Sequence, residues 1–314
     1  MKKQIIKYVI GFILIGIVIK LFIGEEELNL LKRISISDFI ISLVLTALIF
    51  LVSGIRYSFL LYKQSGKKLS FSDTFLFPIT TNLWGVIIPL QGGLLYSTVF
   101  LKKKYRVMIK DTLSINVFIY SILMSFTGLA GIVFSVTGDR LVLPFFIISI
   151  IFFLNPLELF IAGKILNSIQ IKGLKLLNEI KKMLKDIIDG FLKSLFNIKT
   201  TIILIIITAI HTLLSIVWYY WAFRAFDFEI PFLTVAVYNL FIRLTALLQF
   251  TPSNIGIEEL ASAGLFGILE QNPAQAVLVT LFLRSSTLII MIPFGVFDMI
   301  RNFHHLSIKF PKLR

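Results

Sequence analysis

The chain reads as an all-α polytopic membrane protein with six full transmembrane helices and two oppositely oriented re-entrant helical hairpins. Three observations predict this. Of its 314 residues 57% are hydrophobic and the mean hydropathy is +0.91, which leaves no room for a soluble domain of useful size. Apolar runs of membrane-spanning length recur along the sequence. Two further apolar runs are interrupted, one at Pro89-Leu90-Gln91-Gly92-Gly93 and one from Phe250 to Glu259, where Pro252, Gly256, Glu258 and Glu259 stand between apolar segments. In lipid, backbone freed by such a break must be satisfied by protein or by a water-filled cavity, so breaks of this kind line sites. Residues 1–314 are read as one integral membrane domain.

A first span covers about Ile5 to Ile23, after the basic start Lys2, Lys3 and Lys7; without a small-residue cleavage site it reads as a retained helix. A second runs from about Phe39 to Tyr62, with Arg56 near its end expected to snorkel to the interface. The stretch from about Ser72 to Leu101 is broken at Pro89 to Gly93. Its second part, Leu94 to Leu101, reaches only about 12 Å as a helix, far short of a hydrocarbon core of roughly 30 Å. Basic loops on both sides then predict a hairpin that enters and leaves from the cytoplasm. Spans at about Thr112 to Val136 and Leu141 to Gly163 follow, the latter broken near its inner end by Asn155-Pro156. Between Lys164 and Lys199 the residues Leu177, Ile180, Leu184, Ile187 and Phe191 recur at 3-4-3-4 spacing, an amphipathic helix. It either lies on the inner membrane surface or packs as a cytoplasmic helix. A span at about Thr200 to Phe223, the second irregular unit from Pro231 to Leu269 and a last span at about Ala274 to Ile300 complete the chain.

The formal net charge of +14 falls in loops beside apolar spans, which points to the anionic cytoplasmic leaflet rather than to nucleic acid. Most of the 31 lysines and arginines lie in loops assigned inside, which places both termini in the cytoplasm and opens the second hairpin outward. Pro89 and Pro252 stand 163 residues apart, and the same offset carries the spans of residues 39–136 onto those of 200–300. Two halves of opposite topology, an inverted repeat, are therefore expected, with substrate bound between them. The sequence has no cysteine, so thiol and disulfide chemistry are excluded.

Charged groups deep in lipid need partners, which singles out Arg243, Arg284, Glu258 and Glu259. The arginines suit a lipid phosphate, and the helix beginning near Ile257 adds a positive end. The glutamates have three readings: helix capping, contact with a cationic headgroup, or carriage of a coupling proton. A purely structural Arg284–Glu258 pair is the alternative for both. Pro252, Asn254 and Gly256, with Pro89, Gln91, Gly92 and Gly93, complete the candidate binding set at the two breaks. His211, mid-span, reads as a proton relay or as a hydrogen-bonded structural histidine. The adjacent His304 and His305 do not share a helix face, and no metal spacing, nucleophile triad, catalytic set or cofactor motif is found.

The run Pro252-x-x-x-Gly256-x-Glu258, a following span with Arg284, and then Pro293-Phe294-Gly295 resemble the transmembrane region of lysylphosphatidylglycerol synthases and their stand-alone flippase-like relatives; Pro89-x-x-Gly92-Gly93 resembles that family's first signature. The resemblance covers essentially the whole chain. Members carry Glu and then Arg shortly after the first motif's glycine, where this chain has Leu94 and Ser97. The resemblance implies translocation of a phospholipid or lipid-linked phosphate across the cytoplasmic membrane, without the soluble synthase domain. Membrane lipids, anionic ones above all, are the expected partners, together with a second copy of the chain or a lipid-modifying enzyme. An integral-membrane enzyme acting on lipid phosphate and an accessory subunit of a lipid-modifying or glycosyl-transfer enzyme are the other readings.

Overall fold

The computed structural model describes residues 13, 16–17, 20–24, 29–30, 34–88, 91–137, 143–168, 175–243, 245, 251 and 254–302. Among them every regular element is a helix. From residue 36 onward these are α1 (Ile36–Ser65), α2 (Phe71–Ile87), α3 (Gly92–Tyr105), α4 (Ile109–Thr137), α5 (Leu143–Phe153), α6 (Asn155–Ser168), α7 (Lys175–Leu195), α8 (Ile198–Ala225), α9 (Phe232–Ile242), α10 (Ile257–Ile268) and α11 (Pro273–Arg301). Four of them, α1, α4, α8 and α11, are long and apolar enough to cross a membrane; α5 and α6 together make a fifth candidate. The described residues thus supply five spans at most where six were expected, and most of the first expected span, Ile5 to Ile23, lies outside them.

Helix ends follow local signals. Ser35 accepts the Asp38 amide at the start of α1, and Gly66, at φ 71°, ends it in the left-handed conformation that glycine adopts without penalty. Ser70, Asn197 and Asn272 cap α2, α8 and α11 in the same way, and Pro273 fills the first turn of α11, where a missing N–H costs nothing.

Helices α2 and α3, about 26 and 21 Å long, fold back on one another. At their tip Gln91 takes a left-handed φ of 67°. Gly93 lets the arms touch, because a Cβ there would lie 2.6 Å from the Thr81 carbonyl oxygen. Lower down, Trp84 stacks on Tyr96 with centroids 5.9 Å apart. At the base the Ser70 amide donates to Tyr105 Oη at 3.0 Å, so the chain returns to the end it left. Helices α9 and α10, about 16 and 18 Å long, form a second pair. Tyr238 meets Phe266 edge-on at 4.9 Å, and Phe228, Ile230 and Leu269 share one apolar cluster at its base.

Helix α11, about 44 Å long, joins the two pairs. Thr280, near its start, lies 3.0 Å from both Tyr238 Oη of α9 and Ser262 Oγ of α10. Asp298, near its end, accepts from Thr80 of α2 and Tyr96 of α3. The pairs therefore sit at opposite ends of one helix. Shifted by 163 residues, α3 falls within two residues of α10 at both ends and α4 within one of α11. The same shift carries Gln91 onto Asn254, which also has a positive φ, 54°.

In the stretch from Leu141 to Gly163, expected as one span broken at Asn155-Pro156, α5 and α6 meet at 64° beside Leu154, the geometry of a broken span or of a re-entrant turn. Pro156 has no N–H to continue the ladder across that point. The amphipathic segment read from Lys164 to Lys199 takes in the end of α6, which runs to Ser168, and α7, which begins at Lys175. Its second half packs on α4, where Ser114 Oγ donates to the Ile187 carbonyl at 3.0 Å and Phe118 meets Phe191 edge-on. Ile180, Met183 and Leu184 stay exposed. Helix α7 is thus packed over one half and leaves an apolar strip over the other.

Candidate functional site

Three clusters of charged side chains lie inside the bundle, and their charge balance separates them. The first is at the break that leads into α10. Arg284 of α11 donates to Glu258 Oε2 at 2.7 Å and meets Glu259 Oε1 at 2.8 Å. Glu259 is fully buried, and its second oxygen accepts the Gly256 amide at 2.8 Å, closing the first turn of the helix. Gly256 takes a φ of 82° there, open to glycine alone at little cost. Asn254 donates from Nδ2 to the Thr245 carbonyl at 2.6 Å, tying the two sides of the break together. With one cation, two carboxylates and the positive end of a helix, this cluster is close to neutral.

The second cluster is at the base of the α2–α3 pair, where only Pro89, Gln91, Gly92 and Gly93 at the tip had been singled out from sequence. Asp73, fully buried, binds Lys104 at 2.7 Å and also accepts from Arg301 and Tyr105. Arg301 continues to Asp298 at 2.7 Å, and Asn302 bridges Asp298 and Lys104. Burial alone would push the Asp73 carboxyl up. The hydrogen bonds from Lys104 and Tyr105 and the charges of Lys104 and Arg301 outweigh it and hold the group below the usual carboxylate range. Two carboxylates and two cations again balance.

The third cluster does not balance. Arg56 of α1 is 7% exposed and lies within the field of Arg243, the residue that ends α9. Arg243 Nη2 is 2.9 Å from His211 Nδ1 of α8. Guanidinium has only donors, so that nitrogen accepts and the ring proton sits on Nε2. Tyr120 of α4 lies within the field of both arginines, and one turn before it Asn116 donates to Tyr57 at 3.3 Å. Among the described residues neither arginine meets a carboxylate. Arg56 Nε and Nη1 and Arg243 Nη1 are buried without a hydrogen-bond partner. An unpaired charge at membrane depth costs at least ~2.5–3.5 kcal/mol on the insertion scale.

These positions redistribute the roles expected from sequence. Arg284 and Glu258 form the ion pair that was the structural alternative for both, and Glu259 caps the helix. Arg243 and His211 come together, and both lie within the field of Arg56. Arg56 does not snorkel: it stands nine residues before the end of α1, about 14 Å from it along the axis, and is buried. Gln91 sits at the tip of the α2–α3 pair and makes no side-chain capping bond. Gly92 and Gly93 serve close packing, while Pro89 and Pro252 lie outside the described residues. Asp73, Lys104, Asp298 and Arg301 were missed, because each lies at the edge of an apolar run where charge is ordinary. Among the described residues no group of His, Asp and Glu is placed to hold a metal.

Apolar helices of spanning length packed around buried charges define a multi-pass integral membrane protein. The family model described as the lysylphosphatidylglycerol synthase TM region matches residues 4–295, and the chain belongs to that family. Searches of curated proteins and of solved structures return no match.

Proposed function

We propose that this protein is a flippase-like translocator that moves a phospholipid or lipid-linked phosphate across the cytoplasmic membrane of a prokaryote, without covalent change to the lipid. Both termini lie inside. The α2–α3 and α9–α10 pairs re-enter the membrane from opposite faces as the matching parts of an inverted repeat. The observation that carries this reading is the placement of two helical pairs, each arm too short to span, at opposite ends of α11. Short helices ending at membrane depth are the building parts of transporter sites that face either side in turn. Family membership and the charged clusters inside the bundle support the same reading. The surface beside α1 and α2 has an open groove of about 400 Å³, lined by Ile55, Ser58, Phe59, Tyr62, Lys63, Lys68 and Thr74. Apolar walls with lysines suit acyl chains below an anionic headgroup.

The test is leaflet exchange. Purified protein in liposomes should expose fluorescent phosphatidylglycerol from the inner leaflet to a membrane-impermeant quencher, and mass spectrometry should recover the lipid unaltered. Rates equal to protein-free liposomes across a panel of anionic lipids would remove the translocator, and a covalently altered lipid would replace it with an enzyme.

A further inference from the structure

We propose that Arg56 and Arg243, oriented by His211, form a seat for a phosphate group inside the membrane. Inorganic phosphate and the headgroup of an anionic phospholipid both carry that group. For a lipid occupant the inference rests on the translocator reading; the seat itself rests on the burial, the charge and the unpartnered donors of the two arginines.

Arg56 is more than nine-tenths buried, and two of its guanidinium nitrogens have no acceptor. Arg243 adds a third such nitrogen, with its remaining edge turned to His211. The other buried arginine clusters are balanced by Glu258 and Glu259 or by Asp73 and Asp298, so the bundle has carboxylates for its cations elsewhere but not here. Two guanidinium groups offer forked donors of the geometry that matches phosphate oxygens, and a phosphate would satisfy both the free N–H groups and the charge. Arg56 comes from the first half of the chain, and Arg243 from the inner end of a short helix in the second. A ligand held there touches both halves. Buried hydroxyls of Thr208 and Thr212, flanking His211 on α8, also lack partners.

The test uses the full chain in detergent with three probes: inorganic phosphate, dioctanoyl phosphatidylglycerol, and dioctanoylglycerol, the same chains without phosphate. Native mass spectrometry and thermal unfolding report binding. The wild type should hold dioctanoyl phosphatidylglycerol at least tenfold more tightly than dioctanoylglycerol. Arg56→Gln and Arg243→Gln should each remove that preference and leave dioctanoylglycerol binding unchanged. Protection by inorganic phosphate that is lost in the same variants also supports the seat, with a free ion as occupant. Without phosphate, Arg56→Met should melt several degrees above the wild type, because an unpaired buried charge has been removed. A folded Arg56→Gln that keeps the wild-type preference overturns the seat, as does an Arg56→Met that melts lower while phosphate still protects it. Binding without leaflet exchange keeps the seat and removes the translocator. Exchange with a phosphate-indifferent protein does the reverse.

Discussion

Arg284 lies 2.7 and 2.8 Å from Glu258 and Glu259, whereas Arg56 meets no carboxylate among the described residues. The same side chain therefore holds the fold in one place and is left open in another. Removing Arg284 leaves two carboxylates inside the protein, one of them fully buried. Arg284→Ala should destabilise by about 3–5 kcal/mol, the usual result of orphaning a buried partner. Chemical unfolding in detergent measures it, and a change under ~1 kcal/mol would contradict a structural pair. At this scale the sequence is half legible. A charge in an apolar run is conspicuous, so Arg243, Arg284, Glu258 and Glu259 stand out. Which charge pairs with which depends on neighbours brought in by other helices, so Arg56 was misjudged.

At the scale of elements, the α2–α3 pair is locked at its base by Asp73, held to Lys104, Tyr105 and Arg301. Because the folded carboxyl titrates below its ordinary value of 3.8, its stabilisation is complete above that value. It is lost as pH falls through the lower folded value. Wild-type melting in detergent should therefore drop on acidification below about pH 3.8, and Asp73→Asn should melt lower at pH 7 with a shallower acid decline. Equal acid declines in the two proteins would show that Asp73 is not the clamp. The break between α2 and α3 was readable, since Pro89 to Gly93 interrupts an apolar run. The sharp turn at Leu154 was not, because a single Asn-Pro within apolar sequence marks a kink and a 64° bend alike.

For the whole molecule, a shift of 163 residues brings α3 and α4 close to the bounds of α10 and α11 and Gln91 onto Asn254, both of which have a positive φ. Helix length and punctuation are set by membrane thickness and by backbone geometry even where side chains differ, and the inverted repeat is part of the proposal. Opposite insertion of the two halves is the proposal's topological core. The sequence is free of cysteine, so single cysteines at the exposed Lys103 and Glu270 positions can be labelled against no background. An impermeant thiol reagent should reach position 103 only from the cytoplasmic side and position 270 only from outside. Labelling of both from one side would rule out oppositely inserted hairpins.

The central claim joins these scales: a lipid crosses with its phosphate held between Arg56 and Arg243. Leaflet exchange of fluorescent phosphatidylglycerol in liposomes, measured side by side for wild type, Arg56→Gln and Arg243→Gln at equal incorporation, tests it most directly. Exchange by the wild type that falls at least tenfold in both variants is the expected result. Exchange that is undiminished in folded variants, or absent in the wild type, would contradict it.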